Sequence, residues 1–127
     1  MSYTKESTSY KMSLKLKYKN NSIGVIRNPY ERVVTEYFYS FNYIGFDKWV
    51  AEFTPTLQVE LYKDCDYIVN FGDWKKELEE LNLHPKDTSI LEDVKIVTDW
   101  QRWYTMKSKT YIAVLYKDDI MTYGYSF

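Results

Sequence analysis

The sequence predicts an α/β fold in which a small parallel sheet is surrounded mainly by helices. Two apolar runs rich in β-forming residues, Ile23–Ile26 and Tyr67–Phe71, are the predicted strands. The chain between them carries helical signals, as the crossover between parallel strands requires. With 127 residues the chain is long enough to bury one core. We therefore expect a single domain over residues 1–127.

Residues 1–21 form a polar, lysine-rich segment ahead of the first strand. Apolar and polar side chains alternate along its second half, which is typical of an extended chain. The alternating apolar residues are Tyr10, Met12, Leu14, Leu16 and Tyr18. Part of this segment is therefore predicted to be extended.

The first strand leads directly into a helix whose start is marked by several local signals. Asn28 can cap the helix, Pro29 suits its first position, and Glu31 stands three residues after the cap, as in a capping box. The predicted helix runs from Pro29 to about Ser40. Arg27 then lies at the carboxyl end of the strand, the edge where open α/β sheets hold their ligands. We expect an anion to bind there.

A turn and a short helix are predicted before the second strand. The turn covers Asn42–Gly45, and the helix begins at Asp47 and is ended or interrupted by Pro55. The apolar side chains of this helix are Trp49, Val50 and Phe53.

The second strand is also followed by a helix. Asp73 is expected to cap the segment Trp74–Leu81, and its leucines at positions 78 and 81 are expected to face the core. From Leu83 to Glu92 the composition predicts a loop.

Two more helices are predicted in the last third of the chain. The first covers Val94–Thr105, and the second covers Lys109–Lys117 with Ser108 as its cap. Asp118–Asp119 is expected to cap a turn, and Gly124 marks a further turn.

The charge balance and the cysteine count exclude several classes of function. The chain has 17 Lys and Arg against 18 Asp and Glu, a net charge of −1, which argues against broad binding to nucleic acid or to an anionic membrane. Cys65 is the one cysteine, so no internal disulfide can form. The sequence has neither an apolar stretch of membrane-spanning length nor a signal-peptide core. We expect a soluble, cytoplasmic protein.

The residues around the first helix form a pattern that is known from one enzyme family. Arg27, Pro29, Arg32 and Thr35 follow a strand with the spacing R-x-P-x-x-R-x-x-S, with Thr35 at the position of the serine. This pattern resembles the second nucleotide-binding element of sulfotransferases, which holds the 3′-phosphate of 3′-phosphoadenosine 5′-phosphosulfate (PAPS). The resemblance implies that Arg27 grips this phosphate with its planar guanidinium and that Thr35 supplies a hydroxyl donor.

The likeness covers residues 22–127 and is closest to the carbohydrate-sulfotransferase branch of the family. Further segments resemble that branch in their order and spacing. They are Phe46–Val50, Gln58 with Tyr62, Asp66–Leu78 and Val114–Phe127. The resemblance implies a reduced version of the P-loop-NTPase-like sulfotransferase fold, corresponding to its carboxyl-terminal part.

One family element has no convincing equivalent in this chain. Sulfotransferases begin with a strand and a lysine-bearing loop that wraps the 5′-phosphosulfate. Thr4–Ser9 contains Lys5 and hydroxyl groups, but it lacks the glycine of that loop and carries Glu6. Either Lys5 belongs to a degenerate loop or the segment is simply polar.

His84 is the one histidine and has the side chain whose unperturbed pKa suits a general base near neutrality. A loop position beside a proline such as Pro85 is more often simply a solvated turn. Lys5 and His84 are therefore the candidate catalytic residues. One histidine and one cysteine without ligand spacing predict no metal site.

Each ligand contact implied by the resemblance has a structural alternative. Arg27 can pair with a carboxylate such as Glu31 or Glu36. Arg32, expected to be an exposed helix arginine, has Glu36 as an ion-pair partner one turn further on. Thr35 can hydrogen-bond back to its own helix backbone.

Three functions remain open at this stage. The first is PAPS-dependent sulfuryl transfer to an acceptor hydroxyl or amine, with a carbohydrate as one candidate acceptor. The phosphosulfate-binding loop would then either be formed by residues 3–9 in an unrecognised form or be supplied by another chain. The second is a sulfotransferase-fold protein without catalysis that binds a nucleotide or a protein partner. The third is the carboxyl-terminal part of a longer gene product. Open strand edges would favour a homo-oligomer.

Overall fold

A computed structural model describes residues 14–40, 45–52, 55–94 and 97–127. Within these ranges three strands form one sheet: β1 (Lys15–Tyr18), β2 (Asn21–Ile26) and β3 (Tyr67–Asn70). The helices are α1 (Pro29–Tyr39), α2 (Phe46–Glu52), α3 (Gln58–Leu61), α4 (Trp74–Glu80), α5 (Ser89–Glu92), α6 (Met106–Leu115) and α7 (Lys117–Tyr123). Two 3₁₀ turns cover Phe71–Asp73 and Trp100–Trp103. The predicted α/β class is confirmed. None of the described helices combines the length and the apolar character that crossing a bilayer requires.

The sheet has the order β1-β2-β3 and is mixed rather than wholly parallel. β2 and β3 are parallel, as predicted, and Ile26 lies opposite Asn70 at their carboxyl ends. β1 is antiparallel to β2, because the two-residue turn between them can only reverse the chain. The predicted extended segment is thus confirmed for Lys15–Tyr18, while Tyr10 and Met12 lie outside the described residues.

The buried apolar residues form two clusters. The first joins the sheet to α4 and α5 and comprises Leu14, Leu16, Ile23, Val25, Val69, Leu78, Leu83, Leu91 and Val94. The second joins α1, α2 and α6 and comprises Tyr30, Val33, Val34, Phe46, Val50, Ile112 and Tyr116. The site described below lies where β2 and β3 end, between the elements that contribute to these two clusters.

Gly24 in the middle of β2 allows Tyr62 to pack directly on the strand. A Cβ atom at position 24 would lie 2.8 Å from Cγ of Tyr62, closer than real contacts allow. The Tyr62 ring is buried, and its hydroxyl accepts a hydrogen bond from the Leu14 backbone N–H at 2.9 Å. Because glycine has no side chain, position 24 leaves room for Tyr62, and this contact fixes where the chain after α3 crosses the sheet.

Helix α1 begins as predicted, but its capping box does not form. The Asn28 side chain accepts the Tyr30 backbone N–H at 3.0 Å, and Pro29 occupies the first turn. The Glu31 carboxylate binds the side chains of Arg27 and Thr35 instead of reaching back to the cap. The Arg27 guanidinium offers this carboxylate a bidentate ion pair, which is stronger than a single hydrogen bond from a backbone N–H.

Helix α4 begins at Trp74 as predicted, but it lacks the predicted cap hydrogen bond and ends one residue early. Asp73 occupies the cap position without a side-chain hydrogen bond, and Glu77 accepts the Asn70 backbone N–H at 2.9 Å. Leu78 is buried as predicted, but Leu81 is 45% exposed, so its predicted core position is wrong. The helix ends at Glu80, and position 81 therefore leaves the helical face.

The helix predicted over Val94–Thr105 is wrong for its described part. From residue 97 onward this segment contains the 3₁₀ turn Trp100–Trp103, and Tyr104 is extended. The Asp99 carboxylate binds Arg102 Nη1 at 3.0 Å and gives no helix cap. Tryptophan, tyrosine and threonine are also weak helix formers. The predicted loop over residues 83–92, by contrast, contains the short helix α5.

The last predicted helix starts earlier than expected and is followed by another. Thr105, not Ser108, is the cap of α6, and the two residues form a capping box in which Ser108 occupies the third position. The helix ends at Leu115, and α7 follows after Tyr116. Gly124 adopts a φ of 73° at the end of α7, so the predicted turn there is confirmed.

Candidate functional site

The candidate site lies at the carboxyl ends of the two parallel strands. Because Ile26 and Asn70 are register partners, the next residues of both strands, Arg27 and Phe71, reach the same edge. The guanidinium carbon of Arg27 lies 4.9 Å from the centre of the Phe71 ring, a cation–π contact. This is the edge where the sequence predicts ligand binding.

Two adjoining hollows open at this edge, and we refer to them together as the carboxyl-edge cleft. The inner hollow, of about 330 Å³, includes Arg27 and Tyr125 in its lining. The outer hollow, of about 590 Å³, includes Trp74 and Lys75. The residues that line both hollows are Glu31, Phe71, Gly72 and Trp100. The cleft therefore combines aromatic surfaces with a small set of charged groups.

The Arg27 side chain is almost fully buried and points its charge into a local network. Its Nε and Nη2 atoms pair with the two carboxylate oxygens of Glu31 at 3.1 and 2.5 Å. Nη2 also donates to the Thr35 hydroxyl at 3.1 Å. Nη1 is buried and has no hydrogen-bond partner among the described residues. A buried cationic donor without an acceptor costs free energy, so this atom needs a partner.

Thr35 lies behind Arg27 rather than in the wall of the cleft. Its hydroxyl is 2.7 Å from Glu31 Oε2 and 3.1 Å from the Glu31 carbonyl oxygen, and it accepts the bond from Arg27. The bond to the helix backbone that the sequence left open is therefore present. Ligand binding by Arg27 and Thr35 stays a prediction, and Thr35 could reach a ligand only if its bonds to Glu31 were exchanged.

The backbone of Arg27 is fixed by Gln58. Gln58 Oε1 accepts the Arg27 N–H at 2.8 Å, and Gln58 Nε2 donates to the Arg27 carbonyl at 2.7 Å. Asp119, which is completely buried, accepts the N–H groups of Gln58 and Val59 at 2.8 and 2.9 Å. The carboxylate thus caps α3, which in turn holds the strand end that carries Arg27.

The end of the chain forms a further part of the cleft wall. The Tyr125 hydroxyl donates to Asn70 Oδ1 at 2.7 Å, and Asn28 Nδ2 donates to the Ser126 carbonyl at 2.9 Å. Burial raises the pKa of Tyr125 above its usual value, so this phenol stays a neutral donor. The sequence analysis named Gln58 and Val114–Phe127 only as segments that resemble the family, and it gave Gln58, Asp119 and Tyr125 no role in the site. The turn signal at Gly124 was the one local indication that the chain folds back here.

Trp100 connects the cleft to the second core cluster. Its ring stacks on Tyr30 with a centroid distance of 6.4 Å and an interplanar angle of 7°. The edge of Phe127 meets the same ring at 5.2 Å. The Tyr104 hydroxyl donates to the Tyr30 carbonyl at 2.6 Å and ties the 3₁₀ turn to α1. The Trp100 part of the cleft wall is therefore held by two ring contacts, and the hydrogen bond of Tyr104 fixes the neighbouring chain.

Arg32 is buried, so its expected exposure is wrong. Its Nε lies 3.4 Å from Glu36 Oε1, which confirms the predicted ion pair, and its Nη1 donates to the Thr56 carbonyl at 2.9 Å. Arg32 faces the chain before α3 rather than the cleft. The structure therefore gives Arg32 the structural role that the sequence favoured.

Of the two candidate catalytic residues, His84 belongs to the described part of the chain, and it does not line the cleft. His84 is exposed, its Nε2 lies 2.9 Å from Asn82 Oδ1, and it borders a groove beside β1. Lys5 lies outside the described residues. Within the described ranges, no group of three or more His, Cys, Asp or Glu side chains could hold a metal ion.

The described lining of the cleft combines aromatic rings with two cationic residues and three carboxylates, which belong to Glu31, Asp73 and Glu92. This lining contains no paired nucleophile and general base. Arg27 and Lys75 are its cationic residues in the described ranges, and Glu31 stands at the entrance to Arg27. No family model matches the chain, and no curated protein or solved structure matches it significantly.

Proposed function

We propose that the chain binds the 3′-phosphoadenosine end of PAPS, or the product nucleotide 3′-phosphoadenosine 5′-phosphate, in the carboxyl-edge cleft. The observation that carries this proposal is the buried Nη1 of Arg27, which has no hydrogen-bond partner among the described residues. The Arg27 residue also lines the inner hollow. A phosphate oxygen would supply the missing acceptor. One charge-assisted hydrogen bond contributes about 1.5–3 kcal/mol.

The aromatic wall supports a nucleotide over a bare anion. Phe71 and Trp100 line the inner hollow together with Arg27, and Trp74 lines the outer hollow. Stacking of a base on an aromatic side chain contributes about 1–3 kcal/mol. In the proposal, base stacking on an aromatic side chain adds to the contact between Arg27 and the phosphate, and the two together give a higher affinity for the nucleotide than the arginine contact alone.

Glu31 limits this affinity because it already neutralises Arg27. Its side chain is 15% exposed, and Glu31 lines both hollows of the cleft. Binding must therefore either use Nη1 alone or displace the carboxylate from the guanidinium. In the proposal Glu31 acts as a gate that keeps the arginine paired while the site is empty.

For catalysis, the proposed reaction is sulfuryl transfer from PAPS to an acceptor hydroxyl or amine, with a carbohydrate as one candidate. Such a transfer depends on in-line positioning and on cations around the transferred group. Among the described lining residues, Lys75 is the one cation besides Arg27. The small number of cationic residues in this lining favours the second candidate function, a nucleotide-binding protein that does not catalyse sulfuryl transfer.

Calorimetric titration with 3′-phosphoadenosine 5′-phosphate tests the binding step. Glu31→Gln removes the competing charge and is expected to tighten binding by about 1.4 kcal/mol, or tenfold. Arg27→Lys removes the planar fork and is expected to weaken it. Glu60→Gln, at a carboxylate that is 68% exposed and paired with Lys63, is the matched control and should change nothing.

The pattern across the variants decides the proposal. The proposal is contradicted if neither the wild type nor the Glu31→Gln variant binds the nucleotide. It is also contradicted if the Arg27→Lys variant binds as tightly as the wild type. Thermal unfolding of each variant shows whether the fold is intact. Release of 3′-phosphoadenosine 5′-phosphate from PAPS with a panel of hydroxyl and amine acceptors then separates the enzyme from the nucleotide-binding protein.

A further inference from the structure

A second surface of the molecule lies beside strand β1, away from Arg27. A groove of about 750 Å³ runs between this strand and the chain at residues 84–90, and we call it the basic edge groove. Its charged and polar lining residues are Lys15, Lys17, Lys19, Lys86, His84 and Asp87. Four lysines and one aspartate thus line the groove, although the whole chain is slightly acidic with a net charge of −1.

The backbone of β1 is open toward this groove. The Val25 N–H donates to the Leu14 carbonyl at 2.9 Å, so Leu14 turns its carbonyl toward β2. By the alternation of an antiparallel ladder, Lys15 and Lys17 turn their N–H and C=O groups to the other side. In the described residues, β2 is the one strand that pairs with β1. These backbone groups are therefore available to a further strand.

The side chains along the edge define the chemistry of such a strand. Lys15 and Lys17 are exposed, while Leu16 between them is buried in the core. On the opposite wall, His84 meets the Tyr18 ring edge-on at 6.0 Å. Asp87 Oδ1 accepts two hydrogen bonds from Ser89, one from the backbone N–H at 3.0 Å and one from the hydroxyl at 2.7 Å. The Asp87 carboxylate keeps its charge, but among the described residues it forms no salt bridge with a lysine of the groove.

Like-charge repulsion argues against a second copy of the chain at this edge. Two β1 strands paired with each other would place the lysines of one copy opposite those of the other, which is destabilising. An extended acidic segment would make the same backbone bonds and would place its carboxylates beside the ammonium groups. Strand addition with alternating side-chain contacts is an established mode of peptide recognition.

We propose that the basic edge groove binds an extended acidic peptide segment, which adds to the sheet as a strand beside β1. The backbone of Lys15 and Lys17 supplies the strand pairing. The ammonium groups of the groove select glutamate- or aspartate-rich sequences. This surface is separate from the carboxyl-edge cleft, so the proposal does not depend on nucleotide binding.

The test uses a fluorescent peptide in which glutamate alternates with threonine, and its binding is followed by anisotropy. The same peptide with alternate backbone nitrogens methylated keeps its charge but cannot pair with a strand. Lys17→Glu is expected to weaken binding about tenfold or more. Lys63→Glu, at a lysine that is 65% exposed and outside the groove, is the matched control and should leave affinity nearly unchanged.

Strand addition also has a direct structural signature. Bound peptide should slow hydrogen exchange at the amides of Lys15 and Lys17, while the paired amides of Leu16 and Tyr18 should change less. Several results would overturn the proposal. They are no binding, equal binding of the methylated peptide or of an acidic oligosaccharide, and equal weakening by Lys17→Glu and Lys63→Glu. Edge lysines would then serve only to prevent aggregation.

Discussion

The buried carboxylate of Asp119 holds the backbone of Gln58 at 2.8 Å, although the two residues are 61 positions apart in the chain. Gln58 in turn bonds both backbone groups of Arg27. Asp119 of α7 thus positions Arg27 indirectly, through Gln58 of α3. Stability and ligand affinity are expected to be connected along this path.

Replacement of Asp119 by asparagine tests this connection. The amide can accept only one of the two backbone N–H groups well, so unfolding free energy should fall by about 1–3 kcal/mol. Nucleotide affinity should fall as well because Gln58 loses its anchor. Asp118→Asn is the matched control, since Asp118 is exposed and should tolerate the change. Chemical denaturation of both variants gives the difference, and equal loss in both would contradict the prediction.

Gly24→Ala is expected to destabilise the protein, because the new methyl group would lie 2.8 Å from Cγ of Tyr62. Overpacking of this kind typically costs about 1–3 kcal/mol. Gly72→Ala provides the comparison, since a Cβ atom there meets nothing within 4 Å. Thermal melting should separate the two variants. A Gly24→Ala variant as stable as Gly72→Ala would show that the Tyr62 ring moves aside freely.

The two leucines of the α4 region should respond differently to truncation. Leu78 is 5% exposed, so Leu78→Ala is expected to cost about 2–5 kcal/mol through the lost burial and the cavity. Leu81 is 45% exposed, and Leu81→Ala should stay within about 0.5 kcal/mol of wild type. Urea denaturation measures both. Comparable losses would mean that Leu81 is covered in solution.

Alkaline pH is expected to unfold the protein through its buried tyrosines. Burial raises the pKa of Tyr104, Tyr116 and Tyr125 above the usual 10.0. In the unfolded chain these phenols ionise near pH 10, so above that pH the unfolded state holds fewer protons than the folded state. Stability is then fully present below about pH 10 and falls as the pH rises further.

Absorbance at 295 nm and circular dichroism, recorded together during a pH titration, check this expectation. Exposed tyrosines should ionise first with no loss of structure. The buried phenols should ionise only together with the loss of ellipticity. Full ionisation of all tyrosines before any structural change would contradict it. Tyr116→Phe should reduce the alkaline loss of stability.

Elements that depend on short-range signals could be predicted from the sequence. The apolar runs predicted both parallel strands, and Asn28 and Pro29 predicted the start of α1. Leu78 was placed correctly because the helical period persists through it. Leu81 was not, since sequence periodicity alone did not locate the end of the helix at Glu80.

The candidate site was predictable only for residues whose partners in the site are also close to them in the sequence. Arg27 stands next to the strand end and to Glu31, and both facts are visible in the sequence. Asp119 and Tyr125 reach the site from the far end of the chain, and no local pattern marks such a contact. The burial of Arg32 was equally hidden, because an arginine with a carboxylate one turn away has the same sequence pattern on the surface and in the interior.

Trp100 gives the protein an optical reporter of its own. Its indole belongs to the cleft wall and also stacks on Tyr30 at an interplanar angle of 7°. Coupled transitions of two fixed rings produce near-ultraviolet circular dichroism, and a molecule that enters the cleft changes the surroundings of one of them. Occupancy can therefore be followed spectroscopically on the unlabelled chain.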